Sequence, residues 1–207
     1  MTPDSVIVRQ ALIHAFAMVA RPVILEYFPP RSCIASTRIA IECLKAFGIE
    51  ARPVPCEFYL HIPSLKLLYT SGGSAEVREA NKLVVLPTAD GGTGWPGHLV
   101  AVADLFWIDT AFDQGFASLI GEGCLPAGEP SEINVIELPN PLGPEFDIAA
   151  AGEMEDGTEV KIRYLSMLDD SLRDSFRNCR AWETDHLQQA IGRIVRLMQR
   201  YLKGQYL

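Results

Sequence analysis

Cys33, His98 and Asp109 are the residues whose types and spacing first suggest chemistry. Cys33 follows Ser32, a candidate N-cap, at the start of what reads as a helix through Phe47, with Lys45 in its last turn and Gly48 just past it. Unpaired backbone amides and the positive end of the helix dipole converge at such a start, and they favour a thiolate over a thiol. A nucleophilic thiolate needs a base that can later return the proton, and histidine suits both tasks. Of the four histidines, His98 is best placed, because it follows the loop Gly91-Gly92-Thr93-Gly94-Trp95-Pro96-Gly97 and opens a strand. That loop suits the rim of a cleft, and Trp95 within it is the candidate for substrate contact. His14 falls in an apolar helix and His186 on a helix surface, with His61 a weaker competitor on a strand. Among the five cysteines, Cys43 sits mid-helix as a structural cysteine does, while Cys56, Cys124 and Cys179 carry no helix-start signal.

A short hairpin would join His98 to Asp109. If Ala103-Asp104 is a two-residue turn, Val102 pairs with Leu105, and the constant sum of antiparallel partners sets His98 opposite Asp109. Directly opposed residues have Cβ atoms about 4.5–5.5 Å apart, within reach of a carboxylate–imidazole hydrogen bond. Asp109 would then hold the tautomer of His98 and stabilise its cation, with Asp113 as the fallback. The Cys33 backbone amide is the expected oxyanion donor, together with a second donor that the sequence does not identify.

These residues need elements to position them. A helix is expected from about Ser5 to Ala20, ended by Arg21-Pro22 because the residue before proline disfavours the α region. Strands are expected over Ala51 to Leu60, Lys82 to Leu86, His98 to Val102, Phe106 to Asp109, Ile133 to Leu138 and Thr158 to Tyr164. In the last of these, Thr158, Val160, Ile162 and Tyr164 alternate with Glu159, Lys161 and Arg163, as a half-exposed antiparallel strand does. The proline-, glycine- and acid-rich stretch from Leu138 to Gly157 reads as a loop. Two closing helices are expected, near Asp169 to Cys179 and Thr184 to Leu202. The fold class is therefore α+β in one domain over residues 1–207, with a core at about 23–165, a flanking helix at 5–20 and C-terminal helices at about 169–203.

Charge narrows the partners. The chain carries 18 basic and 26 acidic residues for a net −8, which argues against binding to nucleic-acid phosphates. The distribution is regional: no Lys or Arg occurs from Leu83 to Val160, a stretch holding 14 acidic residues. The histidine strand thus has no basic neighbour in sequence, which favours a charged imidazole and a neutral or cationic substrate. An odd set of five cysteines without a CxxC pair fits neither a disulfide framework nor a zinc site, and points to the cytoplasm. The apolar stretch from Ala11 to Ala20 reads as a core helix, and no membrane partner is expected.

The run from Cys33 to Val54 (CIASTRIAIECLKAFGIEARPV) resembles the cysteine helix and following strand of the transglutaminase-like superfamily of papain-fold cysteine enzymes. Leu44, Gly48, Ile49, Ala51, Arg52 and Val54 fit that block. Gly97-His98-Leu-Val-Ala-Val and Phe106-Trp107-Ile108-Asp109 are similar to the family's histidine and aspartate strands. The likeness covers Cys33 to Gln114, 82 residues, and departs from the family in lacking a tryptophan just before Cys33. It implies a papain-like core, with the cysteine helix packed on an antiparallel sheet carrying the histidine and aspartate. It also implies acyl transfer through a thioester, by a hydrolase or acyltransferase acting on a peptide or small amide without metal or other cofactor. An arylamine acetyltransferase-like enzyme and a catalytically silent binding module on the same scaffold are the alternatives.

Overall fold

The computed structural model describes residues 3–29, 32–71, 84–86, 98–121, 123, 125, 133–154, 156–166 and 185–204. Four α-helices run through them: α1 (Pro3–Tyr27), α2 (Cys33–Lys45), α3 (Gln114–Gly121) and α4 (Asp185–Leu202). The strands are β1 (Arg52–Ile62), β2 (Leu67–Ser71), β3 (Val84–Leu86), β4 (His98–Ala103), β5 (Phe106–Asp109), β6 (Asn134–Glu137), β7 (Asp147–Glu153) and β8 (Glu159–Ser166). The class is α+β. The pairing path is β3-β2-β1-β4-β5-β6, with β8 on β1 and β7 on β8, antiparallel except between β2 and β3.

Strand β1 is long enough to serve several partners: Arg52 to Cys56 pair with β4, and Cys56 to His61 pair with β8. The sheet curls until β6 reaches β8, where the Asn134 amide donates to the Tyr164 hydroxyl at 3.2 Å. Period-two alternation then gives two apolar layers. Val54, Phe58, Leu60, Val100, Trp107 and Tyr164 fill the inside of the curl. Ala101, Ala103, Phe106 and Ile108 face outward and pack under α1, α2 and α4 with Phe16, Ile24, Ile39, Leu44 and Ile194.

Several expectations are corrected here. Helix α1 does not stop at Pro22 but continues to Tyr27. Pro22 lies on the exposed face, where water can solvate the carbonyl left without a donor, while Val23 and Ile24 behind it are buried. Helix α2 ends at Lys45 rather than Phe47. Gly48, at φ 75°, lets the Ile49 amide return to the Leu44 carbonyl at 3.0 Å. Ser32 occupies the N-cap position without capping through its side chain, which meets the Ser36 hydroxyl at 3.3 Å instead. Strand β7 lies inside the stretch expected to be a loop; its Ala-rich sequence has weak strand preference, and its seven-residue pairing with the alternating strand β8 supplies the order. Strand β8 shows the expected alternation of buried and exposed positions. The expected helix at Asp169 to Cys179 lies outside the described residues.

Helix α1 is long and apolar enough to cross a membrane by length and composition alone, from Val6 to Tyr27. In this fold Leu12, Ile13, Phe16, Val19, Ala20, Val23 and Ile24 place one face of it in the helical core.

Candidate active site

Cys33 is the first residue of α2 and is 7% exposed. One turn further on, Thr37 donates its hydroxyl to the Leu99 carbonyl at 2.8 Å, tying the helix start to β4 beside His98. Cys33 itself packs with Leu99 and Ala111. His98 opens β4, is fully buried, and lies 5.0 Å from the Phe58 ring, centroid to centroid. From below, the Cys56 thiol donates to the His98 carbonyl at 3.5 Å.

The His98 Nε2–H donates to Asp109 Oδ2 at 2.8 Å, between two fully buried side chains. The pairing is made by a different register from the one expected. The ladder matches Ala101 with Ile108, Val102 with Trp107 and Ala103 with Phe106, so the turn is Asp104-Leu105 rather than Ala103-Asp104. Asp104 takes the left-handed φ of 56°, which aspartate tolerates, and Arg9 of α1 donates to its carboxylate at 2.5 Å. Continuing that ladder sets Asp109 level with Val100, two residues from His98 and on the same face. A shift of two residues preserves strand parity, so the contact survives as a diagonal one; a shift of one would have turned Asp109 to the other side.

Asp109 is held by more than His98. Its Oδ1 accepts the Ala111 amide at 2.9 Å, and its Oδ2 also accepts the Tyr164 hydroxyl at 2.8 Å. The Gln114 Nε2 stands 2.5 Å from His98 Nδ1, the ring nitrogen that Asp109 leaves free. Asp113, the fallback partner, does not meet His98. Its carboxylate receives both ends of the buried Arg21 guanidinium, which also donates to the Thr110 carbonyl at 3.0 Å. Arg21, remote in sequence, thus brings a cation to this segment in space, fully buried against the loop after Asp109.

Burial by itself would lower the His98 pKa. The charge and hydrogen bond of Asp109, with further help from the Cys33 side chain beside it, outweigh that and push it up to about 10. Asp113 is pushed up to about 6 by burial, which outweighs the opposing pull of Arg21. Burial, with Asp109 adding to it, keeps the Cys56 thiol and the Tyr164 hydroxyl protonated well above their ordinary ranges. Cys43 is pushed up by burial as well, as a structural cysteine should be.

The other candidates fall away from this cluster. His61 lines a separate groove of about 550 Å³ with Tyr59, Leu68, Lys161 and Arg163. His14 stands against Tyr201 and His186 against Tyr27, at ring separations of 6.1 and 5.9 Å. Trp95, Cys124 and Cys179 lie outside the described residues. Among the described residues no three of His, Cys, Asp and Glu converge as a metal site would require. Gln114, Tyr164 and Arg21 were missed from sequence, since a glutamine, a strand tyrosine and a helix arginine carry no local motif. No protein-family model, curated protein or solved structure matches the chain.

Proposed function

We propose that this chain is a cysteine-dependent acyl-transfer enzyme of transglutaminase-like type, with Cys33 as nucleophile, His98 as acid and base, and Asp109 as orienter on a papain-like core. One observation carries the reading: a thiol on the first residue of a helix interacts with an imidazole whose far nitrogen is bound by a carboxylate sealed from water. In that arrangement His98 already holds the thiol's proton on Nδ1, and the Cys33 sulfur adds as a thiolate to the carbonyl carbon of a peptide or small amide. The Cys33 backbone N–H, at the helix start, donates to the oxyanion that forms. When the C–N bond breaks, Nδ1–H passes its proton to the departing nitrogen and leaves a thioester on Cys33. Water or an amine then adds to the thioester carbon, giving its proton to Nδ1, and sulfur leaves as the thiolate while that proton stays on Nδ1.

Gln114 fits this cycle because a carboxamide can meet Nδ1 in either state. Its N–H donates to the bare nitrogen, and after rotation its oxygen accepts from the protonated one.

Thiol alkylation with mass-spectrometric mapping tests the reading. Cys33 is expected to react before the other four cysteines, already near pH 6, and His98→Ala to slow it on the order of a hundredfold. A Cys33 that reacts no faster than Cys124 or Cys179 overturns the proposal. Selective reactivity without turnover on a panel of amides and thioesters points instead to a silent binding module on the same scaffold.

A further inference from the structure

A carboxylate only accepts hydrogen bonds, so the donors around Asp109 can be assigned without ambiguity. His98 gives its Nε2–H to Oδ2, Ala111 its amide to Oδ1, and Tyr164 its hydroxyl to the same Oδ2 that serves His98. The Tyr164 oxygen in turn accepts from the Asn134 amide, which leaves its single proton pointing at Asp109. Donation therefore runs from Asn134 through Tyr164 to Asp109, where it meets the donation from His98 on the same oxygen. All of it lies in the curl of the sheet, with Tyr164 stacked on His98 at an interplanar angle of 24°. Residues on four strands build it, since His98 opens β4, Asn134 pairs with Asp109 across β5–β6 and Tyr164 comes from β8.

Two donors on one oxygen share its charge, so a hydroxyl dipole aimed at Oδ2 weakens the hold of that oxygen on the imidazolium. We propose that Tyr164 is a positioning residue of the triad, whose hydroxyl limits how strongly Asp109 retains the proton on His98 and so keeps His98 able to return it to a leaving group. The proposal rests on the acyl-transfer reading for its consequence, but its physical content concerns His98 alone. Without the hydroxyl, Asp109 still has Ala111 on Oδ1 and His98 on Oδ2, so it stays in place and pulls harder on the imidazole. Burial and Asp109 keep the Tyr164 proton on its oxygen, so the donor persists across the working pH range.

The test is an NMR titration of the His98 ring in full-length protein carrying Cys33→Ala, which removes the thiol's own contribution. Adding Tyr164→Phe is expected to raise the His98 midpoint by about half to one pH unit, the equivalent of one hydrogen bond. Asn134→Ala, which removes only the group polarising the hydroxyl, is expected to move it the same way by less. An unchanged or lowered midpoint in a folded Tyr164→Phe protein overturns the proposal. If that variant does not fold, Asn134→Ala decides by the same criterion. In the protein with Cys33 intact, Cys33 alkylation in Tyr164→Phe is expected to be faster at pH 6. If wild-type Cys33 shows no selective reactivity while the His98 midpoint still rises, the acyl-transfer reading fails and the role of Tyr164 stands.

Discussion

Three donors meet at Asp109, and the most consequential of them is the imidazole, because its proton is bound with different strength before and after folding. In the folded chain His98 holds that proton up to about pH 10, against an ordinary value of 6.5. A group whose pKa rises on folding stabilises the fold fully below its unfolded value and loses that contribution as pH climbs through the folded one. Urea unfolding followed from pH 6 to pH 10 is therefore expected to show a fall in stability, on the order of a few kcal/mol. Asp109→Asn removes the charge that raises the His98 pKa, so the slope should flatten in that variant. A slope that survives the substitution intact would assign it to other groups. The same substitution should slow Cys33 alkylation, because an amide can present its N–H to Nε2 and favour the wrong tautomer.

Helix α3 sets the position of Gln114, its first residue, and it does so by lying directly on the sheet. The next residue, Gly115, explains how: a Cβ there would come 2.9 Å from Leu60 Cδ2 and 3.1 Å from Tyr69 Cδ1. Both neighbours are buried and packed, so neither can step aside freely. Gly115→Ala is expected to destabilise the protein by about 1–3 kcal/mol through overpacking, read by thermal or urea unfolding. It should also change Cys33 alkylation by moving Gln114 off His98 Nδ1. A neutral effect on both would mean that α3 does not depend on this close approach. This helix was not legible in sequence, because eight residues with two glycines carry little helical signal of their own. Strand β4 and strand β5 were legible, since short apolar runs are local properties, while the turn between them lies one residue later than the sequence suggested.

Across the molecule, the Arg21–Asp113 pair joins α1, near the beginning of the chain, to the loop that follows Asp109. Both side chains are buried, so removing one partner strands the other without water. Arg21→Met is expected to cost about 3–5 kcal/mol in urea unfolding at pH 8, and adding Asp113→Leu should recover most of that loss. The penalty of the single variant should shrink as the pH is lowered through 6, because Asp113, already pushed up to about 6, can then become neutral. A penalty that grows with acidity would contradict this. The pair also revises the meaning of the regional charge, since the segment empty of Lys and Arg receives its cation from α1 on folding.

What the sequence determined by itself is what short-range physics controls. A helix had to follow Ser32, with a cysteine at its start, and Thr158 to Tyr164 had to alternate between water and core. His98 and Asp109 had to lie on neighbouring strands, because these features depend on residues within a few positions of one another. The tertiary structure decided the rest. The hairpin register moved by two residues, and the contact held only because sheet faces repeat every two. Arg21, Gln114 and Tyr164 reached the site from α1, α3 and β8, elements that no local pattern connects to it. Helix α1 ran on through Pro22 because burial of Val23 and Ile24 outweighed one lost hydrogen bond on a wet face. Contacts between residues far apart in the chain are settled by the packing of whole layers, and that packing depends on every element at once.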